Sequence, residues 1–236
     1  MTAIVFGASG GIGQALVEQL CASGRYGQVF AVSRSGAEVS TATPVVADAL
    51  DEPNLQDTIG LMTEAGPPDL VIVSIGILHD GDGLQPEKSL RHQTRDAFER
   101  VFDANTIAPA LIAKHMLPRM PRKGPWTFAA LSARVGSISD NRLGGWHAYR
   151  ASKAALNMLI RNFAIEQARR NEAFVCVGLH PGTVDTDLSK PFQSNVPDKQ
   201  LQTAAQSAGH LLDVLDSLGP EVSGKVFDWK GEEIEP

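Results

Sequence analysis

Tyr149 and Lys153, in the stretch Tyr149-Arg150-Ala151-Ser152-Lys153-Ala154-Ala155-Leu156, stand four residues apart in a strongly helix-forming segment. Side chains at that spacing share one helix face, which puts the phenol within reach of the ammonium. A tyrosine loses its proton near pH ~10, and a neighbouring cation favours the phenolate, so the pair predicts a phenol tuned toward general acid–base work. The same spacing fits a tyrosine packed on a core beside a solvated lysine, and the rest of the chain decides between the two.

Gly7-Ala8-Ser9-Gly10-Gly11-Ile12-Gly13 follows the apolar run Ala3–Phe6 directly and precedes the helix-forming Gln14-Ala15-Leu16-Val17. A strand, a glycine-rich turn and a helix N-terminus make a pyrophosphate site, because glycines let the backbone approach the anion while free N–H groups and the helix dipole favour its charge. Gly7, Ser9, Gly10, Gly11, Ile12 and Gly13 are therefore candidate cofactor-binding residues. The next apolar run ends Val32-Ser33-Arg34-Ser35. An acidic residue there would bind the adenosine ribose 2′-hydroxyl, whereas the donor fork of Arg34, with Ser33 beside it, suits a 2′-phosphate. The expectation is NADP(H) in preference to NAD(H), which stays the alternative. After Val45-Val46, Asp48 and Ala49 are placed to meet adenine, Asp48 as acceptor for its amino group. Each has a plain reading too, Arg34 as an exposed loop arginine and Asp48 as a turn or capping aspartate.

These residues must be positioned by alternating elements. Ala3–Phe6, Val29–Val32, Val45–Val46, Leu70–Val73, Trp126–Leu131, Phe174–Leu179 and Lys225–Phe227 read as seven strands. Helices are expected over Ile12–Ala22, Leu55–Glu64, Arg95–Met120, Ala148–Arg170 and Leu201–Leu218, the last ending before Gly219-Pro220. Strands that are apolar throughout and separated by crossover-length helices predict a parallel sheet covered on both faces, the doubly wound (Rossmann) α/β arrangement. Asp80–Ser89 and Ser189–Asp198 are Gly/Pro/Asp/Ser-rich loops after the fourth and sixth strands, where such a sheet places its ligand crevice.

With 236 residues and no linker, one domain over 1–236 is expected. A net charge of −6 gives no electrostatic footprint for nucleic acid or an anionic membrane, so the expected partner is a small molecule. No uninterrupted apolar run approaches the ~18 residues of a membrane span. Met1–Gly7 lacks a basic lead and reads as a buried strand, and Cys21 and Cys176 lie far apart without metal-type spacing, so a reduced, cytoplasmic setting is expected. His79, His92, His115, His147 and His210 form no ligand spacing, and Asp80 and Asp82 around Gly81 read as a solvated turn, so no metal is expected; His147, just before Tyr149, could line the mouth of the site.

Taken together, these residues resemble the short-chain dehydrogenases/reductases along essentially the whole chain. The spacing Gly7-x-x-x-Gly11-x-Gly13 is that of the compact branch, not of the extended epimerase and dehydratase relatives. Asp48 matches the adenine-binding aspartate, Asn105 the helix asparagine that holds a proton-relay water, and Tyr149 and Lys153 the catalytic pair. His180-Pro181-Gly182-Thr183-Val184-Asp185-Thr186 is similar to the Pro-Gly-x-x-x-Thr segment, which implies nicotinamide contacts from Pro181, Val184 and Thr186. Ser132-Ala133-Arg134-Val135-Gly136-Ser137-Ile138, Asp140–Gly145 and Phe227-Asp228-Trp229 look most like the C-factor and sniffer-type carbonyl reductases.

Two departures stand out. The family's Asn-Asn-Ala-Gly after the fourth strand is here Val73-Ser74-Ile75-Gly76, with Gly76 still leaving room for a cofactor. The serine pair that ends the fifth strand is here Ser132-Ala133. Adjacent strand residues point to opposite faces, so Ser132 does not simply replace a serine at 133; it is the candidate catalytic serine, with Ser137 in reserve. The resemblance implies hydride transfer between NADP(H) and a small carbonyl or secondary alcohol, with Ser132 stabilising the oxygen, Tyr149 delivering a proton, Lys153 holding the nicotinamide ribose and depressing the Tyr149 pKa, Asn105 positioning water, and Tyr149 and Lys153 both counted among the cofactor-binding residues. A cofactor-binding signalling protein with little turnover is the alternative that Ala133 leaves open. Substrate loops are expected near 77–89, 137–147 and 188–198, and a homodimer or homotetramer packed through the helices Arg95–Met120 and Ala148–Arg170.

Overall fold

The apolar runs become the strands of a single parallel sheet, the central ones buried because helices cover both of its faces and the edge strand at 43–46 largely exposed. A computed structural model describes residues 1–80, 83–195 and 201–236. The turn residues Gly81 and Asp82, and the 196–198 end of the third expected loop, lie outside the described residues.

Strands β1 (Thr2–Phe6), β2 (Gln28–Ser33), β3 (Thr43–Val46), β4 (Leu70–Val73), β5 (Trp126–Leu131), β6 (Phe174–His180) and β9 (Val226–Asp228) form the sheet in the order β3-β2-β1-β4-β5-β6-β9. Two further short strands, β7 (Thr183–Val184) and β8 (Leu201–Gln202), pair beside it. The fold class read from the sequence is the one observed. The strand order reverses between β1 and β4, which opens a crevice above their carboxyl ends. Register aligns those ends: Phe6 lies opposite Val32 on one side and Val73 on the other, so Gly7, Ser33 and Ser74 emerge at one level.

Two apolar layers hold the helices to the sheet. One contains Ile4, Phe6, Val71, Phe128 and Phe174 against Leu55, Ile59, Ile112 and Leu156 from helices α2 (Glu52–Met62), α4 (Ala108–Met116) and α5 (His147–Ala168). The other packs Val5, Ile72, Ala129 and Val177 on α1 (Gly11–Ala22) and α6 (Ala204–Ser217). Burying a Leu, Ile, Val or Phe side chain contributes about 1.5–3 kcal/mol, so these layers supply the main favourable contribution to the fold. No helix among the described residues is long and apolar enough to cross a membrane.

The sequence expectations need two corrections here. The helix expected over Arg95–Met120 is α3 (Arg95–Phe102), a π turn over Asp103–Ile107, α4, and a 3-10 turn over Leu117–Arg119. Pro109 is the cause: it has no N–H for the carbonyl four residues back, that of Asn105, and the helix widens there, with Ala108 N–H bonding to Asp103 O. Within the segment expected as helix over Leu201–Leu218, Leu201–Gln202 is strand instead; Thr203 then caps α6 in a reciprocal box with Gln206, and an extended residue at that cap keeps the helix from starting earlier.

Candidate active site

At the end of β1 the chain turns through Gly7, whose φ of +86° is a left-handed conformation that favours glycine. A Cβ there would lie 2.9 Å from the backbone carbon of Ser74, and one at Gly11 would lie 2.8 Å from Cγ2 of Thr186. At Gly13 it would sit well inside contact with the Gly7 carbonyl oxygen. The turn is thus drawn tight between β4 and the segment after β6. Gly10 caps α1 with no side-chain acceptor, whereas α2, α3 and α6 are capped by Asp51, Thr94 and Thr203. The first N–H groups of α1 are left for an anion in the positive end of the helix dipole.

Two adjoining cavities of about 620 and 740 Å³ share Ser9, Gly10 and the stretch from Ser74 to Ile77. The first is lined by Ser33, Arg34, Asp48 and Ala49, with Arg34 exposed. Ser33 Oγ accepts from Ala37 N–H, and Asp48 Oδ1 accepts from Leu50 N–H, so both also hold their own turns. The second is lined by Ile12, Gly13, Ser132, Tyr149, Lys153, Pro181 and Thr186. A dinucleotide fits this set: glycine backbone for the pyrophosphate, an exposed guanidinium at one end and titratable groups at the other. Val184 is buried in β7 and lines neither cavity, so of the three expected nicotinamide contacts it stands apart.

Tyr149 enters from the first turn of α5, its ring against the cluster of Leu84, Ala97, Val101 and Ala148. Both readings of the Tyr149–Lys153 spacing therefore describe part of it, since the ring packs on a small core while the residue lines the cavity. Among the described residues nothing pairs with its hydroxyl. Lys153 is 3% exposed; its Nζ lies 5.8 Å from the Tyr149 ring centroid and donates to Leu131 O at 2.8 Å. Burial drives the Lys153 pKa down to about 8 and pushes the Tyr149 pKa up to about 12. The tyrosine shift is opposite to the sequence expectation, because desolvation of the phenolate outweighs the attraction of an ammonium that is itself partly discharged.

Asn105, fully buried on the π turn, accepts from Ile77 N–H at 2.7 Å and donates to Ile77 O at 2.9 Å and Ser152 Oγ at 3.1 Å. A Cβ on Gly76 would meet Asn105 Oδ1 at 3.2 Å and Lys153 Nζ at 3.4 Å, so the glycine leaves room beside both, Lys153 lining the cavity and Asn105 lying wholly buried outside its lining. Ser132 lines the cavity, yet its hydroxyl donates to Asn157 Oδ1 at 2.5 Å, toward α5 and behind Lys153. Ser137 is buried and accepts from Asp140 N–H, holding a turn outside both cavities. Neither candidate serine offers a free proton to the cavity.

Three residues at the site escaped the sequence reading. Trp146, at the N-cap of α5, has φ 50° and ψ 45°. Its ring meets Tyr149 edge-on with centroids 6.2 Å apart and Phe192 at 5.1 Å. Glu87, 3% exposed, accepts from Trp146 N–H through its backbone carbonyl at 2.6 Å and from Ala148 N–H through its carboxylate at 3.3 Å. The signal for Trp146 was Gly144-Gly145 directly before it; Glu87 had no local signal, because its partners lie about sixty residues on.

A double cavity over the switch point of a doubly wound sheet, lined by a glycine turn and by the Tyr149–Lys153 pair, is the arrangement of the dinucleotide-dependent oxidoreductase class. The profile of the short chain dehydrogenase family matches residues 1–197, and the chain belongs to that family. It is similar to the 1-hydroxy-2-glutathionyl-2-methyl-3-butene dehydrogenase of Rhodococcus sp. (strain AD45), 30% identical over 228 residues that cover 95% of this chain and 94% of that protein. The C-signal of Myxococcus xanthus is 39% identical over 135 residues, 57% of this chain and 76% of that protein. Among solved structures, the NADPH-bound carbonyl reductase from chicken fatty liver superposes with a TM-score of 0.83 at 27% identity, covering 100% of this chain and 94% of the other. Carbonyl reductase Sniffer of D. melanogaster superposes at 0.84 with 20% identity, covering 100% and 99%, and shares the fold. A C-signal protein is thus among its relatives, and a sniffer-type carbonyl reductase shares its fold.

Proposed function

We propose that the protein is an NADP(H)-dependent oxidoreductase acting on a small carbonyl compound or secondary alcohol. The observation that carries this reading is that Tyr149 and Lys153 line the same cavity as the glycine turn. The relatives support it, since one is a dehydrogenase and another a carbonyl reductase bound to NADPH. Gly7, Ser9, Gly10, Gly11, Ile12 and Gly13 hold the pyrophosphate, Ser33 and Arg34 the 2′-phosphate, and Asp48 and Ala49 the adenine. Gly76, Lys153, Pro181 and Thr186 hold the nicotinamide half. When bound, NADPH supplies the hydride, with its electron pair, to the carbonyl carbon. Tyr149, protonated at neutral pH, donates its proton to the carbonyl oxygen, and the product is the alcohol. Asn105, whose own backbone carbonyl is the one Pro109 leaves without a helical donor, positions the water that returns a proton to Tyr149. One nucleotide-binding domain spans 1–236, with substrate loops near 77–89, 137–147 and 188–198. Met158 and Ile165, exposed on α5, support a homo-oligomer through that helix, and the setting is cytoplasmic.

The test is oxidation of NADPH and NADH against a panel of ketones and aldehydes. Turnover is expected, faster at equal concentration with NADPH. Arg34→Asp should raise the NADPH dissociation constant by about tenfold or more and move the NADH constant far less, since a charge-assisted bidentate contact contributes about 1.5–3 kcal/mol. Equal losses for both cofactors refute the 2′-phosphate assignment, and tight NADPH binding without turnover on any substrate points to the signalling alternative.

A further inference from the structure

Gly144, Gly145 and Trp146 have φ of 63°, 67° and 50°, three left-handed residues in a row leading into the helix that carries Tyr149. Two are glycines, for which the conformation is free; the third is a bulky aromatic, for which it is strained and persists only where the surroundings fix it. What fixes it is Glu87. The backbone carbonyl of that residue takes the Trp146 N–H, and its buried carboxylate takes the N–H of Ala148 in the first turn of α5. A buried carboxylate at that position is stabilised by the positive end of α5, which has no cap from its own N-cap side chain. The result is an indole turned edge-on to Tyr149 and in contact with Phe192 from the loop after β6, which in turn meets His79 at 5.7 Å. His79 is itself tied to that loop, through the carbonyls of Asp187 and Leu188.

We propose that Trp146 is the specificity-determining wall of the substrate site and that Glu87 is the positioning residue that holds it beside Tyr149, so that the site favours a carbonyl bearing a flat, π-rich substituent. This rests on the oxidoreductase reading only for turnover; the recognition itself is a matter of binding. The chemistry follows from the wall. Aromatic rings present faces and edges of opposite partial charge, and a planar substrate group gains from them what a short alkyl chain does not. A left-handed backbone at 146 aims the ring toward Tyr149, and without Glu87 the residue can relax to an ordinary conformation that takes the ring elsewhere.

The experiment measures, by calorimetry on the full chain saturated with NADP+, the dissociation constants of an aryl methyl ketone and of a short dialkyl ketone. The aryl ketone is expected to bind more tightly. Trp146→Ala should weaken the aryl ketone by about tenfold and the dialkyl ketone by less than about threefold, while the NADP+ constant stays within twofold. Glu87→Ala should reproduce that loss of discrimination although it touches neither ketone, and Glu87→Gln, which keeps an oxygen acceptor for Ala148, should restore most of it. If Glu87→Ala does not fold, Glu87→Asp, one methylene too short to reach Ala148, is read in its place. Equal weakening of both ketones in Trp146→Ala, undiminished discrimination in the Glu87 variants, or no ketone binding to the wild type overturns the proposal. Discriminating binding without turnover leaves it standing and removes the oxidoreductase reading instead.

Discussion

The two halves of the double cavity are made of different material. The glycine turn after β1, which reaches into both cavities, is backbone: glycines at 7, 10, 11 and 13, the uncapped start of α1 and strand ends in register. The half beside β5 and β6 is side chain: Tyr149, Lys153 and Ser132, supported by Asn105 and Glu87, most of them buried and all but Tyr149 hydrogen-bonded to another element. A backbone site is limited by close approach and has nothing of its own to titrate. Side-chain sites titrate, and they carry the cost of keeping polar groups out of water. The first kind of half binds and the second reacts, so substitutions in each should fail in different observables.

The sharpest separation should come from Tyr149→Phe. Removing a positioned acid costs roughly 10²–10⁴-fold in kcat, whereas the NADPH dissociation constant should stay within about twofold because no cofactor-holding glycine moves. Steady-state turnover and a cofactor fluorescence titration measure the two. A variant that loses both in parallel would show that the halves are not separable.

How much of this could be read beforehand differs between the halves for the same reason. The glycine turn is local, with strand, turn and helix contiguous in the chain, and its residues were legible together with the sheet that carries them. Six of the seven main-sheet strands keep their expected cores, and only the last shifts, ending one residue later at Asp228. The π turn at 103–107 was signalled by Pro109, but a proline in the first turn after a helix start and one that widens a helix look alike in sequence. The reactive half was legible only where its members are neighbours on one helix. The direction of the Tyr149 shift depends on burial by Leu84 and Val101, and the pose of Ser132 depends on Asn157; neither relation has a local pattern. Glu87 fell inside the expected substrate loop 77–89 without being singled out, because its partners Trp146 and Ala148 are distant in sequence.

Within the backbone half, the contrast lies between two glycines three residues apart. A Cβ at Gly10 would meet only the Gly7 carbonyl oxygen, at 3.5 Å, an ordinary contact, whereas at Gly13 it would overlap that same oxygen. Gly13→Ala should therefore lower stability by about 1–3 kcal/mol and raise the NADPH dissociation constant by about tenfold, with kcat at saturating cofactor little changed. Gly10→Ala should leave the fold within about 0.5 kcal/mol of wild type. Thermal melts with and without NADPH test both, and comparable losses in the two would mean that the turn is sensitive to any side chain, not to the close approach at Gly13.

In the reactive half, Lys153 should be a stability cost with a pH signature. Unfolded, the lysine keeps its proton up to its ordinary pKa of 10.5; folded, it gives it up near 8. The unfolded state therefore binds the extra proton between those values, and wild-type stability should rise with pH across that window, the full penalty being present below it. A gap of that size corresponds to roughly 3 kcal/mol, less about 1 for the bond to Leu131 O that a replacement forfeits. Lys153→Met should accordingly melt higher than wild type at pH 7 and lose that advantage toward pH 10, while its turnover collapses. An advantage that does not shrink with pH would assign it to packing.

Ser132 carries the smallest expected effect and the finest test of the division. If its hydroxyl acted on the substrate oxygen, Ser132→Ala would cost what removing a donor from an oxyanion site costs, about 10²–10³-fold in kcat. The hydroxyl has one proton, and that proton goes to Asn157 Oδ1 at 2.5 Å, so the side chain belongs to the bracing of α5 against β5. Ser132→Ala should then lower stability by about 1–3 kcal/mol, the cost of leaving the Asn157 acceptor unpaired, and reduce kcat by less than about tenfold. Ala133→Ser supplies the converse arm: a hydroxyl one residue on points to the other face of the strand end, and a rise in kcat there, with Ser132→Ala near wild type, would place the missing polarising group at 133. A collapse of kcat in Ser132→Ala with unchanged melting would mean that the serine leaves Asn157 when substrate binds, and that bracing and chemistry share one side chain.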